Sequence, residues 1–231
     1  MNISVCYTTF KRTDLLFESV KPFLNDQRVS EIIISDDSSP LHIYSELCGF
    51  FQGMPKVKLN RNEKNLDCYF NKREAVSRAT NDYVLILDSD NLFSVDFIDK
   101  LYGQTWSPER ILQPSFAKPH FDFRKFNSLL ANRKNVAKYA HDSTFTTMLN
   151  ACNFFVNRDR YLEVWDGSVD PVTSDSIYFN YKWLEAGNSI YVTPGLEYEH
   201  TMSSDSHYKL NNKRTPAGFH NEIIRKLKQL K

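Results

Sequence analysis

A chain of 231 residues with 41% hydrophobic and 14% aromatic side chains can bury a full core, which excludes a disordered polypeptide. Only seven glycines exclude collagen-like and Gly-repeat architectures. Lys and Arg number 29 against 28 Asp and Glu, so the net charge is +1 and the basic excess of a nucleic-acid binder is missing; no nucleic-acid partner is expected.

The N-terminal run Met1–Tyr7 has no basic n-region and reads as a strand rather than a signal peptide. No apolar stretch approaches the roughly 18–20 residues of a membrane span. Four cysteines, Cys6, Cys48, Cys68 and Cys152, form no C-x-x-C pair and read as reduced, mostly buried thiols. These features predict a cytoplasmic protein.

Strands and helices alternate through the first half. Residues 2–8 form a strand, and Thr13 caps a helix with Leu16, Val20, Phe23 and Leu24 on one face. Glu31–Ser35 is a second strand, ending at Asp36-Asp37-Ser38-Ser39. A helix over about 41–51 and a third strand at Lys56–Asn60 follow. The polar turn 62–67 leads to a helix around 68–80, with Ala75, Val76 and Ala79 inward. Tyr83–Leu87 is a continuous apolar strand that stops at Asp88-Ser89-Asp90. Such strands separated by helices predict a parallel sheet covered on both faces.

The second half is less regular. Helices are predicted at Ser94–Tyr102, Asp159–Trp165 and Ser174–Ala186, the last stopped by Gly187. Strands are predicted at Arg110–Phe116, Asn153–Val156 and Ser189–Val192, with a turn at Pro194-Gly195. Residues 117–150 have no clean period and read as a mixed, partly mobile segment. Phe116, Phe121, Phe123, Phe126 and Trp165 suit a core, with sugar stacking as the alternative. From Thr201 to Pro216 the chain is polar, either a solvated tail or a lid bringing Lys209, Lys213 or Arg214 to a phosphate. Phe219, Ile223, Leu227 and Leu230 then stripe a basic terminal helix, which packs back on the domain or lies peripherally on a membrane.

Ligands of open parallel sheets bind beyond the carboxyl ends of the strands. Three polar clusters lie there: Thr8–Arg12, Asp36–Ser39 and Asp88–Asp90. Two carboxylates two residues apart can hold a hard divalent cation, or simply form a turn. Asp36-Asp37 can hold a base or ribose, or cap the next helix.

In combination these segments resemble the family 2 glycosyltransferases of GT-A fold. Ile3–Val5 through Thr13–Leu16 resembles their first strand and turn, and Glu31–Ser39 their "EIIVVDDGS" strand. Asn65-Leu66 and Asn71-Lys72 sit where that family has "N-x-G-x-x-x-A-R-N", and Ala79–Asp90 is similar to "A-x-G-x-Y-I-x-F-L-D-x-D". Ser174–Gly187 resembles the acidic helix start, and Glu199-His200 the histidine that closes the metal site.

The resemblance implies an α/β fold: a single GT-A domain over 1–200, with a mostly parallel central sheet flanked by helices. Its nucleotide-binding half would span about 1–92 and its acceptor half about 93–200, with 201–231 a polar loop and basic amphipathic helix. It implies inverting transfer of a hexosyl or deoxyhexosyl group from a nucleotide-diphosphate sugar. A UDP-sugar is favoured over a GDP- or dTDP-sugar, and the acceptor is a hydroxyl of a glycan, glycoprotein or lipid-linked molecule. Mn²⁺ or Mg²⁺ is the implied cofactor, with Asp90 and His200 as ligands and Asp88 on ribose, on a metal-bound water or on the metal itself.

On the donor side the resemblance places Thr9, Arg12, Asp36, Asp37, Asn65, Asn71, Asp88 and Ser89 around the nucleotide. Asp175 becomes the general base, with Asp170 as fallback and a helix-dipole role as the alternative. His207 is a weaker metal candidate than His200. Three departures stand out. Ser174 replaces an acid, Ser38 and Leu66-Asp67 replace glycines, and Lys182 stands near the expected Arg. The missing acid motivates the alternative of a catalytically inactive glycan- or nucleotide-sugar-binding module. A third reading, a nucleotidyltransferase, is disfavoured by the absence of glycine from residues 7–13.

Overall fold

The runs Val5–Tyr7, Ile32–Ile34 and Val84–Leu87 are buried on every residue, so these strands must be covered on both faces. The structure, a computed structural model, describes residues 1–201, 209 and 211–231. In it β1 (Ile3–Thr9), β2 (Val29–Asp36), β3 (Val57–Arg61) and β4 (Tyr83–Asp88) alternate with α1 (Asp14–Leu24), α2 (Leu41–Phe51) and α3 (Asp67–Arg78). Their order in the sheet is β3-β2-β1-β4 and all are parallel. The chain therefore leaves β1 on one side and returns on the other, which opens a crevice at the carboxyl ends. Register brings the polar strand ends together there: Thr8 lies opposite Asp88 and Thr9 opposite Asp36.

The second half adds α4 (Phe97–Tyr102), β5 (Arg110–Lys118), β6 (Phe121–Asp122), β7 (Leu130–Asn132), α5 (Val136–Tyr139) and α6 (Ser143–Leu149). Then come β8 (Phe154–Asn157), α7 (Arg158–Val164), α8 (Asp175–Glu185), β9 (Ser189–Glu199) and α9 (Phe219–Gln229). The sheet continues β4-β8-β5-β9-β7, with β6 on β5. β8 runs antiparallel to β4 and β5, while β9 runs parallel to β5. Most paired residues lie in parallel ladders, so the sheet is α/β and mostly parallel, as expected.

Four expectations are corrected. Residues 117–150 are built from short elements around buried Phe123, Phe126, Val136 and Phe145, a pattern too brief to show a period. Pro194-Gly195 is no turn: β9 runs through it, and pairing passes from Pro114–Thr193 to Phe116–Glu197. A bulge absorbs the extra residues, because Pro194 has no N–H for the ladder and Gly195 takes φ +73°. Helix α4 starts at Phe97 rather than Ser94, after a turn in which the Phe97 N–H donates to Ser94 O. Of the four cysteines, all free, Cys6 is buried, Cys68 and Cys152 are half-buried with their thiols turned inward, and Cys48 is exposed.

Helix α9 packs on α5 and α8. Ile223 and Leu227 are buried, and the Phe219 ring lies 5.8 Å from Tyr178. Two residues of the apolar stripe, Ile223 and Leu227, are thus taken up by the domain, while Phe219 and Leu230 are half-buried. Among the described residues no helix is long and apolar enough to cross one.

At the edge opposite the crevice, buried Glu31 ties β1 and β2 to the start of β4. It accepts from Ser4 Oγ at 2.6 Å and Thr80 N at 2.6 Å, and it pairs with Lys58. Burial pushes its carboxyl up, but Lys58, Ser4 and Thr80 outweigh that and hold it below the usual glutamate value. A depressed carboxyl stabilises the fold while ionised and loses that contribution as pH falls through its folded value. Glu31→Gln is expected to cost about 2 kcal/mol at neutral pH, several degrees in Tm. The gap to wild type narrows only as pH falls below the ordinary glutamate value and through the depressed folded one; thermal unfolding across pH checks this, and a gap independent of pH would contradict it.

Candidate active site

The crevice widens into a cleft of about 1140 Å³. Thr9, Arg12, Asp37, Asn65, Asn71, Asp88, Ser89, Asp90, Asp175 and His200 all line it. Asp36 does not. It is fully buried; its Oδ1 accepts from Ser39 Oγ and its Oδ2 from Ser39 N, with Arg61 3.8 Å away. Asp36 therefore closes the turn at Ser39 ahead of α2, whose N-cap Pro40 carries no side-chain cap, and the cleft receives Asp37 instead.

Asp37 Oδ1 accepts from Leu66 N at 2.8 Å and Asn62 Nδ2 at 3.1 Å. Burial pushes its carboxyl up to about 6, against the pull of those two donors. Asn65 Nδ2 donates to Asp37 O, so Asn65 shapes the same wall. Asn71 reaches the cleft, but its amide is engaged inward with Ser35 and Asn62. Its part is to hold the β2 end in place. Thr9 Oγ1 donates to Arg12 O at 3.2 Å, and Arg12 Nη1 meets Asp90 Oδ2 at 2.6 Å.

Sequence reasoning gave no role to the group at the centre. Lys72, on α3, is 4% exposed. Its Nζ lies 2.6 Å from Asp175 Oδ2 and 3.6 Å from Asp88 Oδ1. Burial alone would lower the ammonium's pKa; Asp175 and then Cys152, Asp88 and Cys68 reverse that and hold it well above the ordinary lysine value. A signal existed: Lys72 precedes inward Ala75 by three residues, so it shares the buried stripe of α3. Asp175 opens α8, as expected, but Ser174 makes no side-chain cap there.

His200 follows β9. Its Nδ1 lies 3.1 Å from Asn91 Oδ1, and the Thr201 N–H donates to the same oxygen at 3.4 Å. The acceptor identity of that atom makes Nδ1 the donor and leaves Nε2 with its lone pair. Burial lowers the imidazole pKa below its usual value, more than Asp88 raises it, so the ring is neutral at neutral pH. A neutral imidazole and the carboxylates of Asp88 and Asp90 are the donor types that suit Mn²⁺ or Mg²⁺. Among the described residues no three acidic, His or Cys side chains form a ready-made cage, so such an ion would complete its shell with diphosphate oxygens and water. In kind, the donors fit.

Other candidates fall elsewhere. Asp170 lies outside the cleft, its carboxylate accepting from Val172 N. Lys182 pairs with Glu185 and Asp166 in a separate groove. Arg214 lines the cleft but forms a two-point pair with Asp67, at 3.0 and 2.6 Å. Lys209 lines the cleft, and Lys213 does not. His207 lies outside the described residues. Phe121 and Phe123 reach the cleft, while Trp165 stacks on Tyr69.

The family model for Glycosyl transferase family 2 matches residues 4–164, more than half of the chain. The chain belongs to this family. Among solved structures, S. aureus TarS 1–349 in complex with UDP-GlcNAc superposes with a TM-score of 0.63 at 16% identity, over 90% of this chain and 60% of that one. The mannosyltransferase PcManGT from Pyrobaculum calidifontis, in complex with GDP-Man and Mn²⁺, gives 0.64 at 15%, over 99% and 69%. The chain thus spans about three fifths of the TarS 1–349 chain, and at these identities the likeness establishes the GT-A fold. No curated protein sequence matches the chain.

The buried pair gives this family 2 chain a stability signature. Lys72→Met strands the Asp175 carboxylate without a cation and is expected to cost about 3–5 kcal/mol. Adding Asp175→Asn removes the stranded charge, so the double variant is expected to be more stable than Lys72→Met alone. Denaturant unfolding of the four proteins checks it; additive losses would contradict the pairing.

Proposed function

We propose that the chain is a metal-dependent, inverting glycosyltransferase. It moves a sugar from a nucleotide-diphosphate donor, a UDP-sugar before a GDP- or dTDP-sugar, to a hydroxyl of a glycan or glycoconjugate. The observation that carries this reading is the pair of carboxylates on one ammonium. Asp88 ends the donor-side strand, Asp175 opens the facing helix, and both lie within 3.6 Å of Lys72 Nζ. This arrangement supports reading Asp175 as a base facing the donor rim across the cleft. The UDP-GlcNAc and GDP-Man bound by the two structural neighbours support a nucleotide-sugar donor.

In this reading Asp37 holds the base or ribose, with Asn65 shaping the wall behind it. Thr9, Arg12 and Ser89 flank the phosphates, and Asp88 meets the ribose or a bound water. Asp90 and His200 would hold Mn²⁺ or Mg²⁺, which neutralises charge on the departing diphosphate when bound. Asp175 takes the proton of the acceptor hydroxyl as that oxygen attacks the anomeric carbon. The new C–O bond forms on the face opposite the breaking one, the nucleoside diphosphate leaves with the electron pair, and configuration inverts. Four free thiols suit a reducing compartment, so we place the protein in the cytoplasm.

Asp175→Asn is expected to lower transfer by about 10²–10⁴-fold, while the affinity for the nucleoside diphosphate stays within about twofold because the base touches only the acceptor side. Product formation and calorimetric titration measure the two separately. Retention of more than about a tenth of wild-type transfer would exclude Asp175 as the base.

A further inference from the structure

We propose that His220 is an acceptor-binding residue: its imidazole, oriented by Ser174, hydrogen-bonds a sugar hydroxyl beside the one that Asp175 deprotonates. The inference rests on the glycosyl-transfer reading above and adds a residue from outside the segment matched to the family, 4–164.

The approach to α8 is tied to the C-terminal part of the chain at two consecutive residues. Thr173 Oγ1 lies 2.7 Å from Thr215 Oγ1, and the Thr173 N–H donates to the same hydroxyl at 3.3 Å. Ser174 Oγ lies 3.1 Å from His220 Nδ1. Asp175 is the next residue, and Ser174, Asp175 and His220 line the same cleft. The backbone behind the ring is anchored, since His220 sits in the first turn of α9, whose Ile223 and Leu227 are buried. The place where an acid is missing from the helix-start motif is therefore the place where an imidazole docks.

Among the described residues the Ser174 contact is the hydrogen bond that His220 makes, and Nε2 meets no protein partner. Burial holds the ring's pKa below the usual histidine value, so it is neutral at neutral pH. The Ser174 hydroxyl can donate to Nδ1 or accept from it, and Nε2 takes the opposite role. A sugar hydroxyl is likewise donor and acceptor, and it brings no charge that would need a counter-ion. The donor-side groups stand on the ends of β1, β2 and β4, whereas this pair stands on the wall that carries the base. That separation assigns it to the acceptor sugar.

The test follows transfer from UDP-GlcNAc, UDP-glucose, UDP-galactose and GDP-Man to p-nitrophenyl glycosides of glucose, galactose, N-acetylglucosamine and mannose. Wild type is compared with His220→Ala, His220→Gln and Ser174→Ala. Loss of one neutral hydrogen bond predicts an acceptor KM about tenfold higher in His220→Ala, with donor KM moving much less. Gln, whose amide can stand in for Nε2, recovers most of it, and Ser174→Ala raises acceptor KM about threefold by freeing the ring. Equal acceptor KM values in all four proteins would overturn the assignment, and so would a loss confined to kcat, which belongs to a proton-transfer group. Donor hydrolysis with transfer to no glycoside overturns the sugar-hydroxyl ligand. Neither hydrolysis nor transfer by wild type overturns the glycosyl-transfer reading itself, and the inference falls with it.

Discussion

A single buried ammonium organises the cleft. Lys72 is nearly inaccessible, yet it carries a charge that the interior tolerates only because Asp175 and Asp88 sit at 2.6 and 3.6 Å. Moving either carboxylate away would leave an uncompensated charge, an arrangement that costs several kcal/mol in folded proteins. The pair therefore fixes α3, β4 and α8 relative to one another at the point where chemistry is proposed. Cys68 and Cys152 lie against the same charge, and burial pushes both thiols up, which keeps them in the unreactive protonated form.

The rest of the site follows from the sheet order. Because the chain fills positions on one side of β1 before returning to the other, the ends of β1, β2 and β4 converge without any strand crossing them. Two residues after β4, Asp90 meets Arg12 from the turn after β1, and one further on Asn91 reaches the start of the segment after β9. The neutral, oriented imidazole of His200 is thus a product of packing: burial sets its charge state, and Asn91 sets its tautomer.

Much of this was legible in the residues. Continuous apolar runs announced the buried strands, and polar clusters after three of them announced the rim. Local sequence is silent where distant segments meet. His220 reaches Ser174 across 46 positions, and His200 reaches Asn91 across 109. Lys72 entered the sequence reading only as part of the Asn71-Lys72 motif, with no role of its own, because lysine is rarely buried. Asp36 and Asp37 look equivalent in the sequence, but successive residues at a strand end face opposite ways, so one closes the turn at Ser39 and the other lines the cleft. Pro194-Gly195 carries the composition of a turn, and only the pairing of β9 with β5 converts it to a bulge.

The most direct measurement is the melting temperature with UDP-, GDP- and dTDP-linked sugars, each with and without Mn²⁺, for wild type and Asp90→Ala. A ligand that binds the folded state alone raises Tm by mass action. A metal-dependent nucleotide-sugar site predicts a rise with one nucleotide class that requires Mn²⁺ and disappears in Asp90→Ala. A Tm unmoved by every donor, or a rise that Asp90→Ala keeps in full, would contradict it.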